Sequence, residues 1–486
     1  MTTHFSKSIK SALLALSWVA VFSCKPGDFG TTNINPNASE TPVTSALLTN
    51  VLNQSARGFT ITATEPDLYV QYIANSQYPE ASLYSTVNAD FGGYYSGPLY
   101  DLQNIINYNT NTATKNSVAI YGSNNNQIAV ARIMKAYFFQ VVTDRWGDVP
   151  YSEALKGFPT PKYDTQQSIY TDLFKELKEA SAQFDGGTTV QGDILFSGSA
   201  SKWKKFANSL RMVLALRLSK VDPTTGKSEF ASALADAAGS IATNSDNAAF
   251  AYLNNTDFRS PWAAAYDGRD DFGVSNVFVS ALQTSSDPRL PALVAKISTG
   301  SYLGIPYGLK RDLLISWTGQ NSQYSRPGSA IVQADSKGYI LSAAQMLLTR
   351  AEAAQRGWTS EDATTLYNSA IRASFEQWGV YDATAYATYI ASSGVSLAGG
   401  NALQKIGTQK WIALYPNGYE AWAEWRRTGY PALTPTPYAV NVSKQIPRRY
   451  GYPTSEQTLN KANYDAAVAR LSGGDTHDAR VWWDVK

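Results

Sequence analysis

The chain has 486 residues, with 41 basic and 39 acidic side chains, two histidines and one cysteine. His4 lies in a leader segment, which leaves His477 alone and argues against a Ser-His-Asp triad, a Cys-His pair or a His-rich metal site. A charge near zero argues against nucleic acid as a partner, because neutralising phosphates takes a basic surplus.

Lys7 and Lys10 give a positive start, and Ala12 to Phe22 (ALLALSWVAVF) is apolar apart from Ser17. Those 11 residues are too few to cross ~30 Å of hydrocarbon and have the length of a signal-peptide core. Ser23-Cys24 comes next, the place where lipoprotein maturation cleaves and acylates the thiol. The reading is a signal peptide over 1–23, lipid on Cys24, and a lipidated terminus and tether over 24–43. Phe22 makes the lipobox degenerate, and the other reading is an ordinary secretory peptide with an incidental cysteine. Against that, Cys24 has no second cysteine to pair with, and a free thiol is a liability in an oxidising compartment. No later run approaches the roughly 18 apolar residues of a membrane span. Cleavage removes Lys7 and Lys10 and no acid, so the mature chain is neutral, with 39 charges of each sign. Its length exceeds what one core usually serves, which predicts two packed lobes or one domain with large insertions.

Beyond the polar tether DFGTTNINPNAS, Thr44 to Ser55 has helical spacing, and Glu65 to Gln77 is expected to contribute a second helix. Tyr78 to Tyr95, with Gly92-Gly93, reads as loop, and Tyr100 to Tyr108 resumes helix. The clearest helix runs from Gln127 to Arg145, where Val130, Ile133, Met134, Tyr137, Phe138 and Val141 form one stripe. Trp146-Gly147-Asp148-Val149-Pro150 ends it, and an Arg145–Asp148 pair is expected to tie that turn. Asp164 and Gln167 predict a capping box for a helix with Ile169, Leu173, Leu177 and Ala180 on one side. Ala200 to Ser219 is another helix, broken by Asp222-Pro223 and Gly226. Ser260 to Gln345 is rich in Gly, Pro, Ser and aromatics, with one short helix expected at 275–283. Leu341 to Arg356 and Ser360 to Trp378 predict a helical hairpin, and Asn401 to Leu414 with Tyr419 to Arg427 a second. Lys444 to Lys486 reads as mainly irregular, with a helix near 464–471. The class is mainly α: a TPR-like scaffold of helix pairs, a loop-rich second lobe at about 258–340, and few short strands.

Seven segments carry a family resemblance. They are DFGTTNINPN, ARIMKAYFFQVVTDRWGDVPYSEAL, KWKKFANSLRMVLALRL, YLGIPYGL, LLTRAEAAQRGW, QKWIALYPNGYEAWAEWRRTGYP and IPRRYGYP. Together the chain resembles the SusD/RagB family of nutrient-binding outer-membrane lipoproteins. The resemblance implies one SusD-like α-helical domain over 44–486 and a non-catalytic role. That role is capturing glycan oligomers, or sometimes peptides, at the cell surface as a lid on a SusC-like TonB-dependent transporter. It implies an outer-membrane location facing the exterior. One departure bears on that: only Asp28 is acidic near Cys24, where surface-exposed relatives carry an acidic cluster.

Ligand contact is sought in loops held by the scaffold. Thirty Tyr, 12 Trp and 18 Phe suit neutral sugars, whose C–H faces stack on rings while amides bond hydroxyls. The first candidate is SPWAAAYDGRDDF, with Trp262, Tyr266, Arg269, Asp270 and Phe272; Trp317, Asn321 and Tyr324 form a second patch, and Tyr78 and Tyr84 a third. The structural alternative is that these rings plug the space between lobes. Trp422, Trp425, Arg426 and Arg427, like Arg448, Arg449, Tyr450 and Tyr452, read as structural. Asp267, Asp270 and Asp271 lack the alternating spacing of a calcium loop, so no metal and no cofactor is expected. Two other classes stay open: a helical scaffold that binds only proteins, and a glycoside hydrolase, for which no carboxylate pair stands out.

Overall fold

The computed structural model describes residues 42–57, 65–268, 271–321 and 323–486. The signal, Cys24, most of the tether, Arg269 and Asp270 lie outside the described residues. Residues 44–486 form one compact unit, which carries the fold.

That unit is mainly helical. Thr44–Arg57, Pro98–Thr110, Asn124–Trp146, Gln166–Gln183 and Ala200–Arg217 pack in succession, each against the next. The Asn124–Trp146 helix is buried on nearly every side, from Val130 to Trp146, because helices cover it on both flanks. Ala343–Gln355 with Ala363–Gln377, and Ala402–Leu414 with Gly418–Thr428, form the two predicted hairpins. The stripe residues Ile169, Leu173, Leu177 and Ala180, and Trp203, Phe206, Ala207, Leu210 and Leu214, all enter one continuous core running from Leu48 to Trp483. The mainly α, TPR-like class is what the structure shows. Among the described residues no helix is long and apolar enough to cross a membrane.

Several local expectations give way. Glu65–Tyr69 is a single helical turn, stopped where Gln71 turns left-handed (φ 59). Ile73–Asn75 is then a strand, antiparallel to Phe272–Val274, a partner some 200 residues away that local spacing cannot reveal. The 78–95 segment contains helical turns at Pro79–Leu83 and Gly92–Ser96. Thr165, not Asp164, caps the next helix, accepting from the Ser168 N–H at 3.2 Å. Asp164 instead accepts from the Tyr151 and Ser152 amides across the turn. Asp222-Pro223 starts a helix, Pro223–Leu234: the Asp222 carboxylate accepts from the Thr225 N–H and proline occupies the first turn. Gly226 sits inside that helix because a Cβ there would lie 2.7 Å from the Ala215 carbonyl and 2.8 Å from Trp358. Leu341 closes a strand, Lys337–Leu341, and Ser342 caps the helix after it. The Arg145–Asp148 pair does not form. Asp148 meets Arg470 and the Gln166 N–H, while Arg145 Nε donates to Val141 O at 2.9 Å.

Among the described residues the 260–345 stretch holds five short helices, not one: Pro261–Ala265, Asn276–Thr284, Leu290–Leu293, Arg311–Gln320 and Ser329–Val332. Short strand pairs tie it to the helical scaffold, Phe272–Val274 to Ile73–Asn75 and Lys337–Leu341 to Ala248–Ala251.

Candidate functional site

The strand pair Ile73–Asn75 and Phe272–Val274 gathers most of the candidate aromatics. Tyr266 donates its hydroxyl to the Phe272 carbonyl at 3.2 Å, so the first candidate loop folds onto the strand. On the same pair, Tyr324 donates to Ser76 Oγ at 2.9 Å and tilts 38° against Trp317 at 6.4 Å between centroids. Gly273 makes this possible, since a Cβ there would lie 2.7 Å from the Tyr324 ring. The Arg311–Gln320 helix carries Trp317 and is clipped to the scaffold by Arg311, which reaches both Glu80 oxygens (2.7 and 2.8 Å) and the Gln77 carbonyl. Asn321 ends that helix, its side-chain amide donating to the Trp317 carbonyl at 2.9 Å and leaving Oδ1 as an acceptor.

Tyr266, Phe272, Trp317, Asn321 and Tyr324 are all half-buried, and Tyr78, on the turn after the strand, is 54 % exposed. Burial pushes the Tyr266 phenol up, with Arg326 opposing, so the ring stays neutral. Trp317 and Tyr324, with Ile305 and Leu314 beneath them, form an aromatic shelf on the Gly273 side of the strand pair, while Tyr266 and Phe272 pack against the main core. The shelf can offer ring faces and a few amide and hydroxyl groups, the chemistry of neutral polar ligands.

Two candidates lie elsewhere. Trp262 is 5 % exposed and packs in a narrow cavity with Tyr252, Tyr339 and Trp378. Tyr84 is buried against Tyr69. Both serve as packing, because short helices and strands close over them. Asp267 pairs with Arg259, and no group of three or more His, Cys, Asp or Glu side chains suited to a metal occurs among the described residues.

A second cavity, of about 560 Å³, opens within the helical scaffold. Tyr94, Tyr137, Phe138, Arg145 and Tyr419 line it, with Asn53 and Gln54 toward its mouth. The sequence pattern puts Arg145 at a turn. Its position just beyond a strongly apolar stripe was the only signal that it would be drawn inward. Behind the cavity runs a buried charge network. Arg217 bridges Asp144, Glu420 and Glu424, while Lys410 and Arg427 share Glu352 and Glu424. Burial alone would raise Glu352 and Glu424, but Arg427 and Lys410 outweigh it and hold both below the ordinary carboxylate range. Arg426 stacks over Trp422 at 3.9 Å, and Arg448 lies over Trp425 at 4.9 Å, so this set is internal packing, as expected.

The chain is similar to known proteins over most of its length. A family described as "Starch-binding associating with outer membrane" matches residues 36–453. A solved chitin-binding protein is 30 % identical, with a TM-score of 0.79 over 91 % of this chain and all of its own. A chitin-binding SusD homologue from Flavobacterium johnsoniae is 26 % identical, with a TM-score of 0.74 over 91 % of this chain and 98 % of that one. A SusD homologue from Bacteroides fragilis is 25 % identical, with a TM-score of 0.78 over 91 % of this chain and all of that one. No curated protein matches.

Proposed function

The chain belongs to the SusD-like family, and on that premise we propose that it is a lipid-anchored glycan-binding protein that hands oligosaccharide to a transporter. The observation that carries the reading is the shelf: half-exposed Trp317 and Tyr324 lie side by side, 6.4 Å between ring centres, over Gly273 of the strand pair. Two adjacent, half-exposed rings suit stacking on successive units of a sugar polymer. The names of two similar structures, both chitin-binding, support an N-acetylated glucan as the first ligand to try.

The expected affinity is weak, roughly micromolar to millimolar, or about −8 to −4 kcal/mol. Calorimetry with chitin oligosaccharides tests it. Binding that weakens about tenfold in Trp317→Ala and in Tyr324→Ala, each still folded, supports the shelf. Binding unchanged in both removes it. The protein is read as non-catalytic, so incubation with a glycan panel is expected to release no new reducing ends.

Lipid on Cys24 holds the protein to the outer membrane, facing the exterior, and the tether lets the folded unit cover a SusC-like TonB-dependent barrel. Acyl chains contribute roughly 0.8 kcal/mol per buried CH₂. Cys24→Ser protein is accordingly expected in the soluble fraction. Equal membrane recovery of the variant and the wild type argues against the anchor, and failure of a large β-barrel to co-purify argues against the transporter.

A further inference from the structure

The scaffold cavity is separate from the shelf, and its wall holds one buried cation with no carboxylate against it. Arg145 is 4 % exposed. Its Nε donates to the Val141 carbonyl, and its guanidinium lies 3.8 Å from the Tyr419 ring centre and 5.0 Å from that of Tyr94. Among the described residues no carboxylate forms an ion pair with it; the polar group beside its fork is the Tyr94 phenol. A buried guanidinium normally takes a carboxylate across that fork, because an unmatched buried charge is costly.

The acids in the same wall are already occupied. Asp144 accepts from the Tyr170 hydroxyl and, at 2.9 Å, from the Trp483 indole on one oxygen, and from Gln140 and Arg217 on the other. Glu420 accepts from Gln345 and from Arg217, one on each oxygen. Glu65 acts on Arg145 only through space. The cavity thus presents a desolvated cationic fork between aromatic faces, with Asn53 and Gln54 nearer the surface at exposed Asn50 and Gly93. Its volume lies in the ~300–1,000 Å³ of small-molecule sites.

We infer that this cavity is a second binding site, for a small carboxylate-bearing molecule whose acid group pairs with Arg145 and whose body lies on Tyr94 and Tyr419. The acid group could belong to a sugar acid or to an amino-acid derivative, and the test separates them. Calorimetry on the full folded chain uses glucuronate against glucose, and N-acetylphenylalanine against its amide. At least one acid is expected to bind about tenfold or more tightly than its neutral counterpart, the scale of a charge-assisted pair. That preference disappears in Arg145→Gln and survives in Trp317→Ala. Asn53→Trp, which narrows the mouth without touching Arg145, abolishes binding and covers the case in which Arg145→Gln does not fold. No preference for either acid in the wild type, or a preference that survives both Arg145→Gln and Asn53→Trp, overturns the inference. Because the chitin-oligosaccharide titration reads only the shelf, failure here leaves that reading standing, and the reverse.

Discussion

Two regions of this molecule are built from the same residue types to different ends. In the helical scaffold, Arg and aromatic side chains interlock: Arg426 between Trp422 and Trp483, Arg448 over Trp425, Arg217 among three acids. In the loop-rich lobe, Tyr266, Phe272, Trp317 and Tyr324 stay half-exposed because, among the described residues, nothing packs over their outer faces. A ring's role here is set by what packs over it: Trp262 on a five-residue helix is buried, and Trp317 on a ten-residue helix is not.

The contrast is tested most severely at Glu352, which receives Arg427, Lys410 and Arg356. Glu352→Ala leaves two buried cations, Arg427 and Lys410, to share Glu424 alone, and is expected to lower stability by about 3 kcal/mol, read from denaturant midpoints. The network also predicts a pH dependence. The folded pKa of Glu352 and Glu424 is depressed, so their contribution is complete above about 4.5, the unfolded value, and is lost as pH falls below it. Glu420 and Asp67 are raised by burial and act in the opposite sense, which blunts the acid loss. Glu352→Gln is therefore expected to flatten the stability profile below pH 4.5; an unchanged slope would mean the network is not its source.

Trp262 and Trp317 then divide the two roles within one lobe. Trp262→Ala removes a buried ring and is expected to cost about 3 kcal/mol of stability while leaving glycan affinity alone. Trp317→Ala is expected to do the reverse: an affinity loss of about 1.4 kcal/mol with little change in melting temperature. If both variants lose only stability, the shelf is packing and the contrast between the regions disappears.

The smallest effect belongs to His477, whose ring contacts the Val87 backbone. Burial lowers its pKa, so the folded state resists protonation and stability declines as pH falls below 6.5. His4 being the only other histidine, His477→Asn is expected to remove that slope between about pH 5 and 6.5, read by thermal melts.

The long helices were legible because a 3.6-residue apolar period over four or more turns admits one reading, and their buried stripes are its consequence. The lobe was legible only as irregular. Its helices at Leu290–Leu293 and Ser329–Val332 are single turns, and the strand at Ile73–Asn75 takes its identity from Phe272–Val274. The candidate aromatics were identifiable by type, but not sorted: nothing local separates Trp262, which turns inward, from Trp317, which does not.

What the sequence determined by itself was the class of the fold, the helix pairing and the ring-rich segments, because these depend on composition and short-range periodicity, while the family came from the resemblance of seven segments. Which rings face solvent, that Asp148 meets Arg470 rather than Arg145, and that Arg145 is left facing a cavity were decided only by tertiary structure. Each depends on partners tens to hundreds of residues away, and burial is a property of those partners as much as of the residue itself.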